Sequence, residues 1–395
     1  MSKKLKFYLL SVLLTSFVCY LLLVMGNFVL KRIYSNISKN SNSLTLGEKQ
    51  FFQSEYYEAL EIENMRAEKF DVLEIDEALK KGYKPVLPPV FFDFSHPIIE
   101  LQKLVYEYQY VPLGAQPNKE VYYCNEGYGL IKYKSDRYGF RNPDELWDSP
   151  ERPDILLIGD SYVHGACVEE NFTFRGQIVK EFPLTFNLGM SGSQPKLYSR
   201  TAEFFIKKTR PRNVVVFFFA NDNERVYKTI FEKNFLRNPK NSILEEAKNL
   251  KEFYDAADQI IYKYKEGEPE KHNLWERLKD DIQLEFIRQI IFQSPQKSTN
   301  ETIDTVINLC EEYSCSPYFV FLPTSMFWRP DSRQEDYKNK IKTYLKNEYS
   351  LDENFYDATP LINKYGSDMF APMGPHYSPK GYQLISAEII KLIKN

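Results

Sequence analysis

The chain has 395 residues, 43% of them hydrophobic and 15% aromatic, with a net charge of -3. That is enough apolar material for one substantial core and an accessory region. The near-neutral balance gives no electrostatic footprint for nucleic acid, and the basic clusters Lys207-Lys208 and 338–346 alternate with acids as solvated helix faces do.

In chain order, residues 7–30 form a run of 24 without a charge, between Lys3, Lys4 and Lys6 on one side and Lys31 and Arg32 on the other. A helix of that length, at about 1.5 Å per residue, crosses a hydrocarbon core of about 30 Å with some tilt. The run is longer than the roughly 7–15 apolar residues of a cleaved signal peptide and has no small-x-small cleavage site. The expectation is an uncleaved signal anchor (1–34), with a cytoplasmic N-terminus and an exported body. A Ser/Asn-rich tether follows at 35–43, and 46–81 carries apolar groups at helical spacing (Tyr57, Leu60, Ile62, Met65) before Gly82 and Pro85, Pro88 and Pro89. Residues 35–110 therefore read as a tether and helical neck, and 111–395 as the main domain.

From Pro153 the pattern becomes short β-branched or aromatic runs separated by helical stretches: ILLI at 155–158, TFNL at 185–188, VVVFFF at 214–219, YFVFL at 318–322 and FYD at 355–357. Almost continuous apolar runs predict strands buried on both faces, hence a parallel sheet covered by helices. Sheets of that kind place ligands beyond the C-terminal ends of their strands. A charged and aromatic insertion at about 238–297 reads as amphipathic helices forming a lid, a docking surface or surface decoration.

Each predicted strand end carries a polar group. The first runs into Gly159-Asp160-Ser161, the second ends in Asn187-Leu188-Gly189-Met190-Ser191-Gly192, and the third in Ala220-Asn221-Asp222. His376 stands in the late loop GPHYSPKGY. Taken singly, these are helix-cap and turn chemistry. Taken in order, the blocks LLIGDSYVHG (156–165), NLGMSG (187–192), FFANDN (218–223) and HYSPKGY (376–382) resemble the SGNH, or GDSL-like, hydrolase superfamily over residues 153–393. Upstream, 111–147 looks like the segment that precedes the GDS block in a bacterial, membrane-anchored subgroup of that superfamily.

The resemblance implies a flavodoxin-like α/β three-layer sandwich with a central parallel sheet. It makes Ser161 the nucleophile and His376 the general base, then the general acid toward the leaving group. The oxyanion would be met by the N–H groups of Ser161 and Gly192 and by the side-chain amide of Asn221. It also implies a disulfide between Cys124 and Cys167; Cys310, if it pairs at all, pairs with Cys315. Cys19 falls within the apolar run. No cofactor is expected, and with no CxxC pair and no histidine near the cysteines no metal is expected either.

One departure concerns the acid. The family carries an aspartate three residues before its histidine, and that position is Met373 here, followed by Gly374. A backbone carbonyl or Asp368, eight residues upstream in the same loop, could hold the imidazole Nδ1–H instead. His164, about one helical turn after Ser161, is a rival base or a substrate contact. His96 and His272 have no motif context.

The expected activity is that of a membrane-tethered serine esterase, deacylase or acyltransferase acting on ester-linked acyl groups, such as O-acetyl groups of cell-envelope polysaccharide. An acyltransferase role would need a multi-span membrane partner or an exported acyl donor. The alternative, motivated by Met373, is a catalytically weak carbohydrate-binding or assembly subunit that retains the crevice.

Overall fold

The computed structural model describes residues 15, 17–26, 29, 72–92, 99–108, 110, 112–223, 250–266, 295–323 and 332–395. The chain divides into two compact units, Met1–Ala59 with Pro269–Ser294, and Leu60–Glu268 with Pro295–Asn395. In the first, the described residues at 15–29 are helical and largely exposed. Among the described residues no helix is long and apolar enough to cross a membrane, and much of the apolar run at 7–30 lies outside them. The tether at 35–43 and the proposed neck helix up to residue 71 also lie outside them.

The second unit holds the elements that follow. They are α1 (Val72–Lys80), β1 (Lys84–Pro85), α2 (Ile99–Tyr108), β2 (Glu120–Tyr122), β3 (Lys132–Lys134), β4 (Ile155–Ile158), α3 (Ser161–His164), α4 (Phe174–Ile178), β5 (Thr185–Asn187), α5 (Pro195–Thr209), β6 (Asn213–Phe219), α6 (Leu250–Glu266), α7 (Pro295–Tyr313), β7 (Ser316–Leu322), α8 (Ser332–Tyr344), β8 (Phe355–Asp357), α9 (Thr359–Tyr365) and α10 (Pro379–Lys394).

β4 to β8 form one parallel sheet in the order β5-β4-β6-β7-β8, so the apolar runs of the sequence are its strands. Alternate residues of these strands enter two different cores, as a period of two requires. Leu156, Ile158, Val214, Val216, Phe218, Phe319 and Phe321 pack on one face with Leu197, Phe205 and Ile307. Ile155, Leu157, Val215, Phe217, Val320 and Leu322 pack on the other with Phe174, Ile362, Ile385 and Ile389. Apolar side chains on both faces are what make a strand fit only between two helical layers.

The upstream segment is part of this unit. Residues 72–268 and 295–395 belong to one compact unit, the unit that holds the main sheet. A second sheet pairs β1 parallel to β2 and β2 antiparallel to β3. Gln116 ties it down: its side-chain oxygen accepts from the Leu87 N–H at 2.9 Å, and its amide donates to the Pro85 carbonyl at 2.9 Å and to Asp258 at 3.2 Å. Asp258 lies on α6, so the described helix of the insertion is no surface decoration. Its Phe253 ring stacks on Phe92 at 5.1 Å and meets Tyr110 edge-on at 5.0 Å, and the Tyr254 hydroxyl donates to the Gly114 carbonyl at 3.1 Å.

Phe205 on α5 joins the upstream segment to the main sheet. It is fully buried, and its ring lies 5.4 Å from Tyr138, 5.5 Å from Phe140 and 5.4 Å from Trp147. Removing a ring enclosed on this many sides leaves a cavity that neighbours fill poorly. Phe205→Ala is expected to lower unfolding stability by about 3–5 kcal/mol, read as a shift of the urea midpoint.

Candidate active site

The site lies beyond the C-terminal ends of β4, β5 and β6. Ser161 opens the four-residue helix α3 directly after β4. Asp160 caps that helix by accepting from the Tyr162 N–H at 3.0 Å, and Gly165 ends it in the left-handed conformation at φ 81°. A helix this short needs outside support. Arg141 supplies it from the upstream segment, donating to the carbonyls of Gly165 at 2.8 Å and Val168 at 3.0 Å.

The second strand end is bound to the first. The Leu188 N–H donates to the Leu157 carbonyl at 2.8 Å and the Met190 N–H to the Gly159 carbonyl at 3.1 Å. The turn that follows is closed by the Ser193 N–H on the Met190 carbonyl at 3.0 Å, and its third residue, Gly192, has φ 70°. Glycine is the residue that takes this angle without a Cβ penalty. Asn221 lies in the 3-10 turn Ala220–Asn223 after β6; its side chain is outside the described residues. Its neighbour Asp222 is buried and accepts from the Phe219 N–H at 2.9 Å and the Tyr198 hydroxyl at 3.1 Å. Burial, then the nearby Asp160 charge, pushes the Asp222 carboxyl well above its usual range.

His376 arrives on a loop 215 residues beyond Ser161, and its Nε2 lies 2.9 Å from Ser161 Oγ. The loop is held on its own stem by the Ala371 N–H on the His376 carbonyl at 2.8 Å and the Ser378 N–H on the Met369 carbonyl at 2.9 Å. Tyr162, next to the serine, donates its hydroxyl to the Pro375 carbonyl at 2.6 Å, so the serine turn and the histidine loop are fixed to each other.

The partner of Nδ1 is neither a backbone carbonyl nor Asp368. His376 Nδ1 is 2.6 Å from Glu126 Oε1, and the His376 backbone N–H donates to Glu126 Oε2 at 3.1 Å. A further bond runs from the Met373 N–H to the Glu126 carbonyl at 3.2 Å. Glu126 sits in the β2–β3 connection of the upstream segment, 250 residues before the histidine, with its side chain 9% exposed. Gly374 makes the approach possible: a Cβ there would fall 1.9 Å from Glu126 Cδ. The site that lacks an aspartate at 373 thus leaves a side-chain-sized space at 374, and a glutamate from another segment occupies it.

Asp368, the acid expected from the loop, is 63% exposed and pairs with Lys380 at 2.7 Å. It therefore does not orient the base. His164, expected as a rival base or substrate contact, is fully buried. Its Nε2 meets the Tyr133 hydroxyl at 2.6 Å and its Nδ1 meets Ser191 Oγ at 3.2 Å. A ring without exposed surface touches no substrate.

The Cys124–Cys167 disulfide forms, with Cα atoms 5.0 Å apart, as does Cys310–Cys315. Cys124 is two residues before Glu126, and Cys167 is two residues after the glycine that ends α3. The bridge is thus a covalent tie between the acid's loop and the nucleophile's helix. Ligand-type atoms of Glu126, Cys167 and His376 lie within 4.8 Å of one another, but the sulfur is spent on the disulfide and Nδ1 on the carboxylate. That set does not suit a metal.

The arrangement can pass a proton from the serine hydroxyl to the imidazole. A carboxylate only accepts, so Nδ1 carries the proton and Nε2 presents its lone pair to the serine hydroxyl. Sequence reasoning missed Glu126, although it singled out Cys124 two residues before it. The pairing of that cysteine with one beside Ser161 was the signal that a residue two positions away would reach the same crevice.

No family model matches this chain, and no curated protein matches it. Solved structures similar to it include a protein assigned to the lipolytic G-D-S-L family from Desulfitobacterium hafniense, at 14% identity, over 60% of this chain and 98% of that one, with a TM-score of 0.34. A lipase/acylhydrolase from Enterococcus faecalis matches at 16% identity over 61% and 95%, TM-score 0.34. A catalytic mutant of an acetylxylan esterase from Geobacillus stearothermophilus matches at 12% over 60% and 93%, TM-score 0.34. With likeness at this level, the chemistry has to be argued from this chain's own residues.

Two outcomes are expected. Glu126→Gln should slow labelling of Ser161 by a fluorophosphonate by about 10²–10⁴, because a neutral amide no longer fixes the tautomer or stabilises the imidazolium. Gly374→Ala should move the rate in the same direction by displacing the carboxylate, whereas Asp368→Asn should leave it at the wild-type value. Independently, burial, then Arg141 and His376, depresses His164 to about 3. With an unfolded value of about 6.5, the unfolded chain takes up a proton that the folded chain refuses. The stability this contributes is full above about pH 6.5 and is lost as pH falls toward 3. The urea midpoint of the wild type should therefore drop more steeply between pH 6.5 and 4 than that of His164→Asn.

Proposed function

We propose that this chain is a serine ester hydrolase of the SGNH type, with Ser161 as nucleophile, His376 as base and Glu126 as the acid that orients it. The observation that carries the reading is the unbroken contact series Ser161 Oγ, His376 Nε2, His376 Nδ1, Glu126 Oε1, at 2.9 and 2.6 Å. Ser161 Oγ attacks the acyl carbon as its proton passes to Nε2, and the negative charge of the tetrahedral intermediate falls to the N–H groups of Ser161 and Gly192 and the Asn221 amide. The imidazolium then protonates the leaving alcohol. Water, activated by the same Nε2, releases the acid and restores the serine; a second hydroxyl in place of water makes the reaction a transfer.

The substrate class we propose is an O-acetylated polysaccharide of the cell envelope, met outside the cytoplasm by a body tethered through residues 7–30. Support for the tether comes from the charge-free run and from its exposed apolar side chains, including Phe17, Leu22 and Met25. Transfer rather than hydrolysis would need a multi-span partner to bring the acyl group across. The reading as an inactive binding subunit was motivated by the missing aspartate, and Glu126 removes that motive.

The test is direct. Purified protein incubated with a fluorophosphonate probe should be labelled on Ser161 and should release acetate from an O-acetylated polysaccharide. Ser161→Ala should abolish both, and an unlabelled wild-type protein that retains its fold would sink the reading.

A further inference from the structure

His164 does nothing in the reaction described above, yet it is the most buried histidine near the serine. Its ring stacks on that of Tyr123 with centroids 4.5 Å apart and planes inclined by 25°, and the ring of Tyr133 meets it edge-on at 5.6 Å. The Arg141 guanidinium stands 5.1 Å over the Tyr133 ring, so the cation that holds the end of α3 also backs this cluster. The Tyr123 hydroxyl and His164 Nδ1 both contact one atom, Ser191 Oγ.

The protons in this cluster can be assigned. Tyr133 has one hydroxyl proton, and His164 Nε2 is its hydrogen-bond partner among the described residues. If Nε2 carried the imidazole proton instead, the Tyr133 proton would be left without an acceptor in a buried site, which is costly. Tyr133 therefore donates to Nε2, and the neutral imidazole has its own proton on Nδ1, facing Ser191 Oγ. Burial keeps the ring neutral, so the arrangement does not change as the pH moves through the range in which His376 would act. Ser191 immediately precedes Gly192, inside the turn closed by Met190 and Ser193.

We propose that His164 is a positioning residue for the oxyanion turn: by donating Nδ1–H to Ser191 Oγ it fixes the peptide that presents the Gly192 N–H, without touching substrate. The proposal rests on the hydrolase reading, since it assigns Gly192 to the charge that develops on the substrate. It explains a histidine three residues after the nucleophile that neither abstracts a proton nor reaches solvent. It also explains why the upstream segment supplies two tyrosines here as well as Glu126: the same segment sets both the base and the oxyanion turn.

The experiment compares His164→Leu, His164→Asn, Ser191→Ala and His164→Leu/Ser191→Ala with wild type in the full chain, using p-nitrophenyl acetate and a fluorophosphonate. His164→Leu should lower kcat by about 10–100-fold, less than loss of an oxyanion donor outright, with KM within about twofold. Phosphonylation of Ser161 should slow by the same factor, because it builds negative charge on the same oxygen site. His164→Asn, whose amide can place an N–H where Nδ1 stood, should recover most of the rate. The double variant should lose no more than Ser191→Ala alone, because without Ser191 Oγ the His164 Nδ1–H has nothing on the turn to hold. Should His164→Leu fail to fold, Ser191→Ala is compared with Tyr123→Phe, which removes the other contact to Ser191 Oγ: a rate loss that Tyr123→Phe does not reproduce is the loss of the His164 contact, and one that it reproduces in full overturns the proposal.

A Ser191→Ala protein with wild-type kcat, or a His164→Leu effect confined to KM, would overturn the proposal. Ser161→Ala separates this failure from that of the function. If that variant still turns over ester, or if wild type takes no label, the hydrolase reading falls and this inference with it. If Ser161→Ala is dead and Ser191→Ala is fully active, only the role of His164 is lost.

Discussion

Everything at this site depends on one buried contact, the Glu126 carboxylate against both nitrogens that His376 can offer it. The side chain receives Nδ1–H on one oxygen and the backbone N–H on the other, and its own carbonyl accepts from the N–H of Met373, the expected acid position itself. A charged acceptor with little exposure makes bonds about twice as strong as neutral ones, and leaving it unpaired is correspondingly costly. The carboxylate therefore holds the loop in place as well as the imidazole. A loop carrying His376 without Glu126 would lose a tautomer, an orientation and an anchor together.

The upstream segment earns its place through this contact. Its small sheet is fixed to α6 by Gln116 and to the main sheet by Phe205 and its aromatic neighbours, and its Arg141 holds the end of α3. The Cys124–Cys167 disulfide then closes the connection covalently, close to both Glu126 and Ser161. A disulfide between cysteines 43 apart in sequence mainly restrains the unfolded chain, but its location here also limits how far Glu126 can drift from His376. Fold and site share their supports, so core packing under the segment bears directly on proton transfer.

Much of this was legible in the sequence. The five strands match their expected spans within two residues, because an apolar run bounded by turn residues has few other places to go. Ser161 and His376 were legible because each stands in a local motif. The acid was not, because 250 residues separate it from its histidine and nothing local marks such a contact. Asp368 was attractive for being near in sequence, but eight residues along a loop placed it in solvent beside Lys380. His164 was placed by helical spacing on the serine's side, whereas α3 is one turn long and its end turns inward under the tyrosines.

An aspartate three residues before the histidine would make acid and base a single local unit, portable with the C-terminal loop. Here the acid is contributed from across the fold, and that changes what counts as the catalytic module. The four sequence blocks that suggest a domain beginning near residue 153 mark out a fragment with a serine and a histidine but with nothing to orient them. Any piece of this chain that keeps the Ser161, His376 and Glu126 series has to begin ahead of β2, and a boundary drawn at the four motifs alone would cut His376 away from its carboxylate.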